Sequence, residues 1–174
     1  MNINKIVQSI KKGLAVYKDL LNEVSEEQFQ IIPFDGGWSY AQLYSHIIHV
    51  NQLSLISIER CINRTANKDS RRTDWRICLI MLLGKLPPGR IKAPERIAAR
   101  VSQITKEEAK NQLLRFSEKL DQISLKISLA PTDQKISHPR MGPLNAWQWL
   151  RFIDIHTRHH IPQLSRIRSG ISKN

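Results

Sequence analysis

The sequence lacks a long apolar stretch, which limits where the protein can reside. The longest uninterrupted apolar run, Ile77 to Leu83, is far shorter than the roughly 20 residues that a membrane-spanning helix needs. Polar side chains recur every few positions in the first twelve residues, unlike the apolar core of a secretory signal. We therefore expect a cytoplasmic protein and no membrane partner.

Cysteine, glycine and proline are also scarce. Two cysteines, Cys61 and Cys78, are too few for a disulfide framework, and we expect both to be buried as small apolar side chains. Seven glycines and eight prolines in 174 residues favour long helices over many short strands. With 41% hydrophobic and 24% charged residues the composition is globular, and we expect one domain over residues 1–174.

Acidic side chains are in the minority. Lys and Arg number 27 against 15 Asp and Glu, which gives a formal net charge of +12. Such a surface attracts nucleic acid, acidic membrane faces and small carboxylated or phosphorylated substrates. No basic helix-turn-helix pattern and no basic strand interleaved with aromatic residues occurs. We expect a small-molecule substrate, while nucleic acid and a homodimer remain compatible with the sequence.

The sequence is rich in apolar residues at helical spacing, with capping signals at the segment starts. Ser, Thr or Asn is followed three residues later by Gln or Glu at Ser25, Ser39, Thr105 and Asn145. Long helices are predicted over about 4–24, 39–63, 105–128 and from 145 to at least 164, and short ones after Ser25 and over about 74–83. The prediction is an all-α, antiparallel four-helix bundle with one or two additional short helices.

Two segments without helical spacing, 84–103 and 131–143, are predicted to be loops. A loop as long as the first is uncommon in a compact domain unless it has a function, so both are candidates for the rim of a site. They would give that rim a positive charge through seven side chains: Lys85, Arg90, Lys92, Arg96, Arg100, Lys135 and Arg140.

Histidines cluster in the last predicted helix. His156 and His160 differ by about 40° in direction and lie one turn apart, so both imidazoles can face one metal ion. Gln163 lies within about 20° of His156 and could contact the ion's water or a bound ligand. His159 lies at the edge of the same stripe. Pro162 predicts a kink after the pair, which would displace Gln163 more than the histidines.

A third ligand has to come from another segment. His46 is the best candidate, because it shares the inward stripe of its helix with Leu43 and Val50, and His49 is the reserve. Three neutral imidazoles with open positions suit Zn, Ni, Co or ferrous iron.

Three sequence signatures resemble the DinB/YfiT-like superfamily of metal-binding four-helix proteins. The first runs from Gly37-Trp38-Ser39 to His46. The second is His138-Pro139 followed by Gly142-Pro143-Leu144, and the third is His156, His159-His160 and Gln163. The resemblance implies a four-helix fold in which His46, His156 and His160 bind a divalent metal.

The resemblance implies a broad range of activities: thiol S-transfer with bacillithiol or mycothiol, thiol-dependent isomerisation, and hydrolysis. A three-histidine metal can deprotonate a thiol or acidify water. A hydrolase would want a carboxylate base beside the metal, but Asp154 points about 160° away from His156 and Glu59 lies more than three turns beyond His46, so a loop residue or His49 would have to serve as the base. We therefore expect an S-transferase using a bacillithiol-like anionic thiol. A hydrolase and a non-enzymatic metal- or polyanion-binding bundle are the alternatives.

Overall fold

The structure is a computed structural model and describes residues 2–34, 36–87 and 95–172. Four long helices dominate this part of the chain: α1 (Ile3–Glu23), α3 (Tyr40–Ile62), α6 (Lys106–Ser124) and α7 (Ala146–Ile171). Shorter helices lie between them: α2 (Glu26–Gln30), α4 (Trp75–Leu83) and α5 (Glu95–Ala98). The strands are β1 (Asn67–Lys68), β2 (Gln134–His138) and β3 (Gly142–Leu144).

The helices begin where their capping residues predict. The Ser39 hydroxyl accepts a hydrogen bond from the Gln42 backbone N–H, and the Gln42 side chain accepts one from the Ser39 N–H. The same reciprocal pair forms at the starts of α2, α6 and α7. These bonds satisfy backbone donors that have no partner inside the helix, and so they fix where each helix begins.

The four long helices pack in the order α1, α7, α3, α6 around one core. α3 and α7 run antiparallel, because His46 lies beside His160 and Asn51 lies beside Thr157. Two helices that are far apart in sequence are therefore direct neighbours. The predicted four-helix bundle is confirmed.

The connection between α3 and α6 carries the chain back along the bundle. Ser45, near the start of α3, contacts Ser102 just before α6, and Glu59 pairs with Lys119 near the end of α6. The two helices therefore run in the same direction, so the predicted antiparallel arrangement does not hold for this pair, and a long crossover connection is required. This connection holds β1, α4 and α5.

Aromatic residues tie α1 to its neighbours inside the core. The Tyr17 hydroxyl donates to the Thr157 carbonyl on α7, and the Tyr44 hydroxyl on α3 donates to the Tyr17 carbonyl. The two tyrosine rings pack edge to face with centroids 5.4 Å apart. Since an unpaired buried hydroxyl is costly, these bonds allow large polar aromatics to fill the interior.

The segment 131–143, predicted as a loop, contains β2 and most of β3, and these two strands form a hairpin. Ile136 pairs with Leu144, and β2 also pairs with β1, so that Gln134 lies opposite Lys68. Strands of two to five residues are too short for a clear alternating pattern, and pairing with a distant segment stabilises them. The other predicted loop contains α5, and its residues 88–94 lie outside the described residues.

A buried ionic cluster attaches α4 to α7. The Asp154 carboxylate accepts hydrogen bonds from Arg151 and Arg158 at 2.6–2.9 Å. Arg151 also donates to the Met81 carbonyl, and Arg158 donates to the Gly84 carbonyl. Gly84 ends α4 at φ +67°, and a Cβ there would meet the Arg151 guanidinium at 2.3 Å. The two arginines therefore bind carbonyl groups that the helix end leaves without partners.

One side of α4 is not covered by the bundle. Met81 is buried, whereas Trp75 and Leu82 are largely exposed. Cys61 is buried as predicted, but the same prediction for Cys78 is wrong, because Cys78 lies on the uncovered side. Within the described ranges, no helix is both long and apolar enough to cross a membrane.

We expect Asp154→Asn to lower the free energy of unfolding by about 2–4 kcal/mol, because two guanidinium groups would lose their buried counter-charge. Asp121→Asn is the matched control, since its ion pair with Lys11 is solvent-exposed, and it should cost less than about 1 kcal/mol. Urea unfolding of both variants provides the measurement. Equal losses would show that the Asp154 cluster contributes no more than a surface ion pair.

Candidate metal centre

Three histidine side chains from two helices converge inside the protein. His46 comes from α3, while His156 and His160 lie one turn apart on α7, and all three are buried. Nε2 of His156 lies 3.3 Å from Nε2 of His46 and 3.1 Å from Nε2 of His160. Among the described residues this is the one group of three that could hold a metal ion. The fold thus brings together the three side chains that the sequence pattern selected.

Polar partners determine which ring nitrogen faces the group. His156 Nδ1 donates to Asn51 Oδ1 at 3.0 Å, and Asn51 Nδ2 donates to Thr157 Oγ1 at 3.0 Å. His160 Nδ1 donates to Gln163 Oε1 at 2.9 Å. Because an amide oxygen only accepts, both Nδ1 atoms carry the proton and both Nε2 atoms keep a free lone pair. An outer hydrogen bond of this kind is typical of metal-binding histidines.

Gln163 keeps its place despite the proline beside it. α7 continues through Pro162 to Ile171. The Gln163 side chain both accepts from His160 and lines the adjoining pocket. Its observed contact is therefore to a histidine, which it orients.

Burial keeps the three imidazoles neutral. Loss of solvation lowers the pKa of His46 to about 4 and that of His160 to about 3, and it lowers the pKa of His156 well below its ordinary value. Neighbouring histidines lower all three further. The Nε2 lone pairs of His156 and His160, which lie 3.1 Å apart, repel each other unless a cation lies between them.

The nitrogen separations fit a divalent ion. With metal–nitrogen distances of about 2.0–2.1 Å, two ligands lie about 2.9 Å apart at right angles and about 3.4 Å apart at tetrahedral angles. The separations of 3.1 and 3.3 Å fall between these values. Three neutral ligands would leave further positions open, as in catalytic metal sites. Zn, Ni, Co and ferrous iron all accept this ligand set.

His46 is held by packing rather than by a polar partner. The centroids of the Trp38 and His46 rings lie 5.0 Å apart. His46 Nδ1 is buried without a hydrogen-bond partner in the described part of the chain. His49, the reserve ligand, lies outside the converging group. Its pKa is lowered by burial and by the charge of Arg100.

A pocket of about 570 Å³ adjoins the histidines. All three converging histidines line it, and so does His159. The ring centroids of His159 and His160 lie 5.0 Å apart. Most other lining side chains are aliphatic or aromatic, from α3, α4, α7 and the hairpin: Val50, Leu53, Ile77, Ile80, Met141, Trp149 and Phe152. The histidine group is therefore accessible from an apolar space.

The predicted positively charged rim is wrong for most of its described members. Of its described members, only Arg140 lines the pocket. Lys135 is buried and donates to the Arg71 carbonyl, because its strand pairs with β1. Arg90, Lys92 and the Arg96 side chain lie outside the described residues. Arg60 on α3 is a pocket cation that the sequence analysis did not select.

His138 organises the turn of its own hairpin and lies outside the group of three converging histidines. Its Nδ1 accepts hydrogen bonds from the backbone N–H groups of Arg140 and Met141, both at 3.1 Å. Its ring also packs against Phe152, with centroids 4.6 Å apart. Burial, followed by the charge of Arg140, lowers the pKa of His138 to about 4.

Asn51 was missed by the sequence analysis. It is buried on the inward face of α3, where it contacts His156 and Thr157. A signal was present, because an Asn on an otherwise apolar helix face needs a polar partner inside the protein. The sequence could not show that this partner is a histidine about a hundred residues later.

The helices and the convergent histidines define a four-helix bundle with a candidate divalent-metal site. Residues 10–164 match the DinB superfamily, and the chain belongs to this superfamily. The resemblance noted in the sequence is thereby confirmed.

Two solved structures share the fold. TT2238, described as a four-helix bundle protein, is 16% identical with a TM-score of 0.61, covering 95% of this chain and 99% of that one. YfiT from Bacillus subtilis, described as a probable metal-dependent hydrolase with an unusual four-helix bundle topology, is 14% identical with a TM-score of 0.61. That match covers 98% of this chain and 87% of YfiT. A search of curated proteins gave no match.

We expect Gln163→Ala to weaken zinc binding tenfold to a hundredfold, as loss of an outer hydrogen bond to a ligand does, while the helical content is unchanged. Gln52→Ala on α3 is the matched control, because no hydrogen bond joins Gln52 to the histidines. Competition with a chromophoric chelator measures the affinity. If both variants bind zinc equally, His160 does not need Gln163 for its orientation.

His138 predicts a loss of stability in mild acid. Its pKa falls from an ordinary value of 6.5 to about 4 in the folded protein. The unfolded chain therefore takes up a proton between pH 6.5 and 4 that the folded chain does not, so stability is complete above pH 6.5 and falls through that range. His138→Asn keeps a hydrogen-bond acceptor but does not titrate. It should reduce the slope of the unfolding free energy against pH by an amount that corresponds to up to one proton. Chelator-treated protein unfolded by urea at several pH values tests this, and an unchanged slope would contradict it.

Proposed function

We propose that this chain is a metal-dependent enzyme that transfers a group onto a small thiol of the bacillithiol type. The supporting observation is the group of three convergent, neutral histidines that opens onto a pocket. In the reaction, the thiol sulfur forms a bond to an electrophilic carbon, the leaving group departs with the bonding electron pair, and the thiol proton passes to solvent.

A divalent ion at this site would supply Lewis acidity, which favours the thiolate form of a thiol near neutral pH. His46, His156 and His160 would hold the ion through their Nε2 atoms. Asn51 and Gln163 keep the Nε2 atoms of His156 and His160 aimed at the centre by binding the opposite ring nitrogens. The pocket walls beside the histidines are mostly apolar, and a less polar surrounding strengthens electrostatic interactions there.

Charge at the pocket also suits an anionic thiol. Arg140 lines it, and a guanidinium can bind a carboxylate through two parallel hydrogen bonds. The described residues place no carboxylate within the histidine group. Asp154 is engaged by two arginines, and Glu59 is paired with Lys119. A carboxylate base for water is thus missing from this part of the chain, which favours thiol chemistry.

Metal-dependent hydrolysis is the second candidate. It is favoured by the fold shared with YfiT, which is described as a probable metal-dependent hydrolase. His159 lines the pocket beside His160 and would have to act as the base in place of a carboxylate.

Nucleic acid as a partner stays a prediction. Its best location is a second cleft of about 420 Å³, whose lining includes Arg71, Arg72, Arg76 and Arg140. Guanidinium groups of this kind suit phosphate oxygens. Homodimerisation and a cytoplasmic location also stay predictions.

Calorimetric titration of bacillithiol into zinc-loaded and metal-free protein tests the proposal. We expect binding to the zinc-loaded form that is at least tenfold weaker for the metal-free form and for S-methylated bacillithiol, since only a free thiol can become a thiolate. Equal affinity for both protein forms, or none for either, would overturn S-transfer. Ester hydrolysis that is abolished by His159→Gln with zinc retained would then favour the hydrolase.

A further inference from the structure

We infer that the electrophilic substrate is an elongated, largely apolar molecule whose far end carries an anionic group bound by Arg60. This inference rests on the proposed function, because it names the substrate that would react with the thiol. It follows from the shape and lining of the pocket, which extends from the three histidines along α3.

One stripe of α3 forms a continuous wall of this pocket. Val50, Leu53, Ser57 and Arg60 all line it and lie within about 40° of the His46 direction on the helix. At 1.5 Å per residue, His46 and Arg60 are separated by about 21 Å along the helix axis. The wall is thus an apolar strip with the histidines at one end and a cation at the other.

The facing walls are apolar along the same length. Because α3 and α7 are antiparallel, Phe152 and Trp149 follow His156 in the direction of Arg60, and both line the pocket. Ile77 and Ile80 of α4 line it from another side. The only formally charged side chains among the described lining residues are Arg60 and Arg140. A substrate body that matches these walls is a hydrocarbon chain or a slender ring system.

Arg60 gives the apolar strip a polar end. Arg60 is exposed and donates one hydrogen bond to the Thr65 carbonyl at 3.3 Å, which leaves further N–H groups of the guanidinium for a ligand. No carboxylate is paired with it among the salt bridges of the described residues. A carboxylate, sulfate or phosphate at the end of the substrate would complete this site.

Straight-chain carboxylates and alcohols of equal length probe the pocket directly. Hexanoate, octanoate and decanoate, with the matching alcohols, are titrated into the zinc-loaded full chain and into the chelator-treated full chain. We expect affinity to rise about fourfold with each added methylene in both series and both protein forms, corresponding to about 0.8 kcal/mol for each buried methylene. Absence of this length dependence would overturn the apolar assignment.

A variant of the pocket wall and a matched control outside the pocket locate the bound ligand. Ile56 lines the pocket and is 51% exposed, whereas Leu114 on α6 is 50% exposed and lies away from it. We expect Ile56→Asp to weaken decanol binding about tenfold, because a carboxylate would replace an apolar contact, and Leu114→Asp to leave it unchanged. Equal effects of the two variants would show non-specific binding and overturn the inference.

Arg60→Met removes the charge and keeps an unbranched apolar side chain. We expect it to weaken decanoate about threefold, as for an exposed ion pair, and to leave decanol unchanged. Arg115→Met, at an exposed position on α6 away from the pocket, should change neither ligand. Decanoate binding that needs zinc and ignores Arg60→Met would place the carboxylate at the histidines and overturn the proposed orientation.

The bacillithiol titration and the alkyl-series titrations can fail independently of each other. If bacillithiol fails to bind while chain-length dependence and the Arg60 effect persist, S-transfer is wrong, and what stands is that the pocket binds an elongated apolar molecule with an anionic end. If bacillithiol binds as expected but the alkyl series does not, the substrate assignment alone is wrong.

Discussion

Asn51 lies where α3 packs against α7, and the geometry of the histidines depends on that packing. Its amide donates to Thr157 and accepts from His156, so one side chain fixes both the relative position of the two helices and the orientation of a ring. Tyr17 strengthens the same junction by donating to the Thr157 carbonyl. A shift between these helices would separate His46 from its two partners on α7.

Burial has opposing effects at this centre. It removes His46, His156 and His160 from water and keeps them neutral, which metal binding requires, but it also brings the Nε2 lone pairs of His156 and His160 within 3.1 Å of each other. Without a cation the arrangement is unfavourable, so the surrounding bundle must stabilise it. Asn51 and Gln163 hold His156 and His160 in this arrangement, because their hydrogen bonds keep the ring protons on Nδ1 and leave Nε2 facing the centre.

The long crossover between α3 and α6 builds the pocket beside this centre. It carries α4 across the bundle, where Arg151 and Arg158 bind the carbonyls at the end of that helix. The inner side of α4 then supplies apolar side chains to the pocket. A feature of topology, that α3 and α6 run in the same direction, thus decides which surfaces a substrate would meet.

The sequence alone determined the helix starts and the three histidines, because capping boxes and the spacing of His156 and His160 are local patterns. His46 was selected from its inward position on α3, and the family resemblance supported it. Only the tertiary structure decided which other side chains lie at the histidines and along the pocket. Asn51 is a histidine partner and Arg60 a pocket cation because α3 meets α7 and the hairpin, while Lys135 is drawn away by strand pairing. Contacts between segments far apart in the chain leave no periodic trace in one sequence.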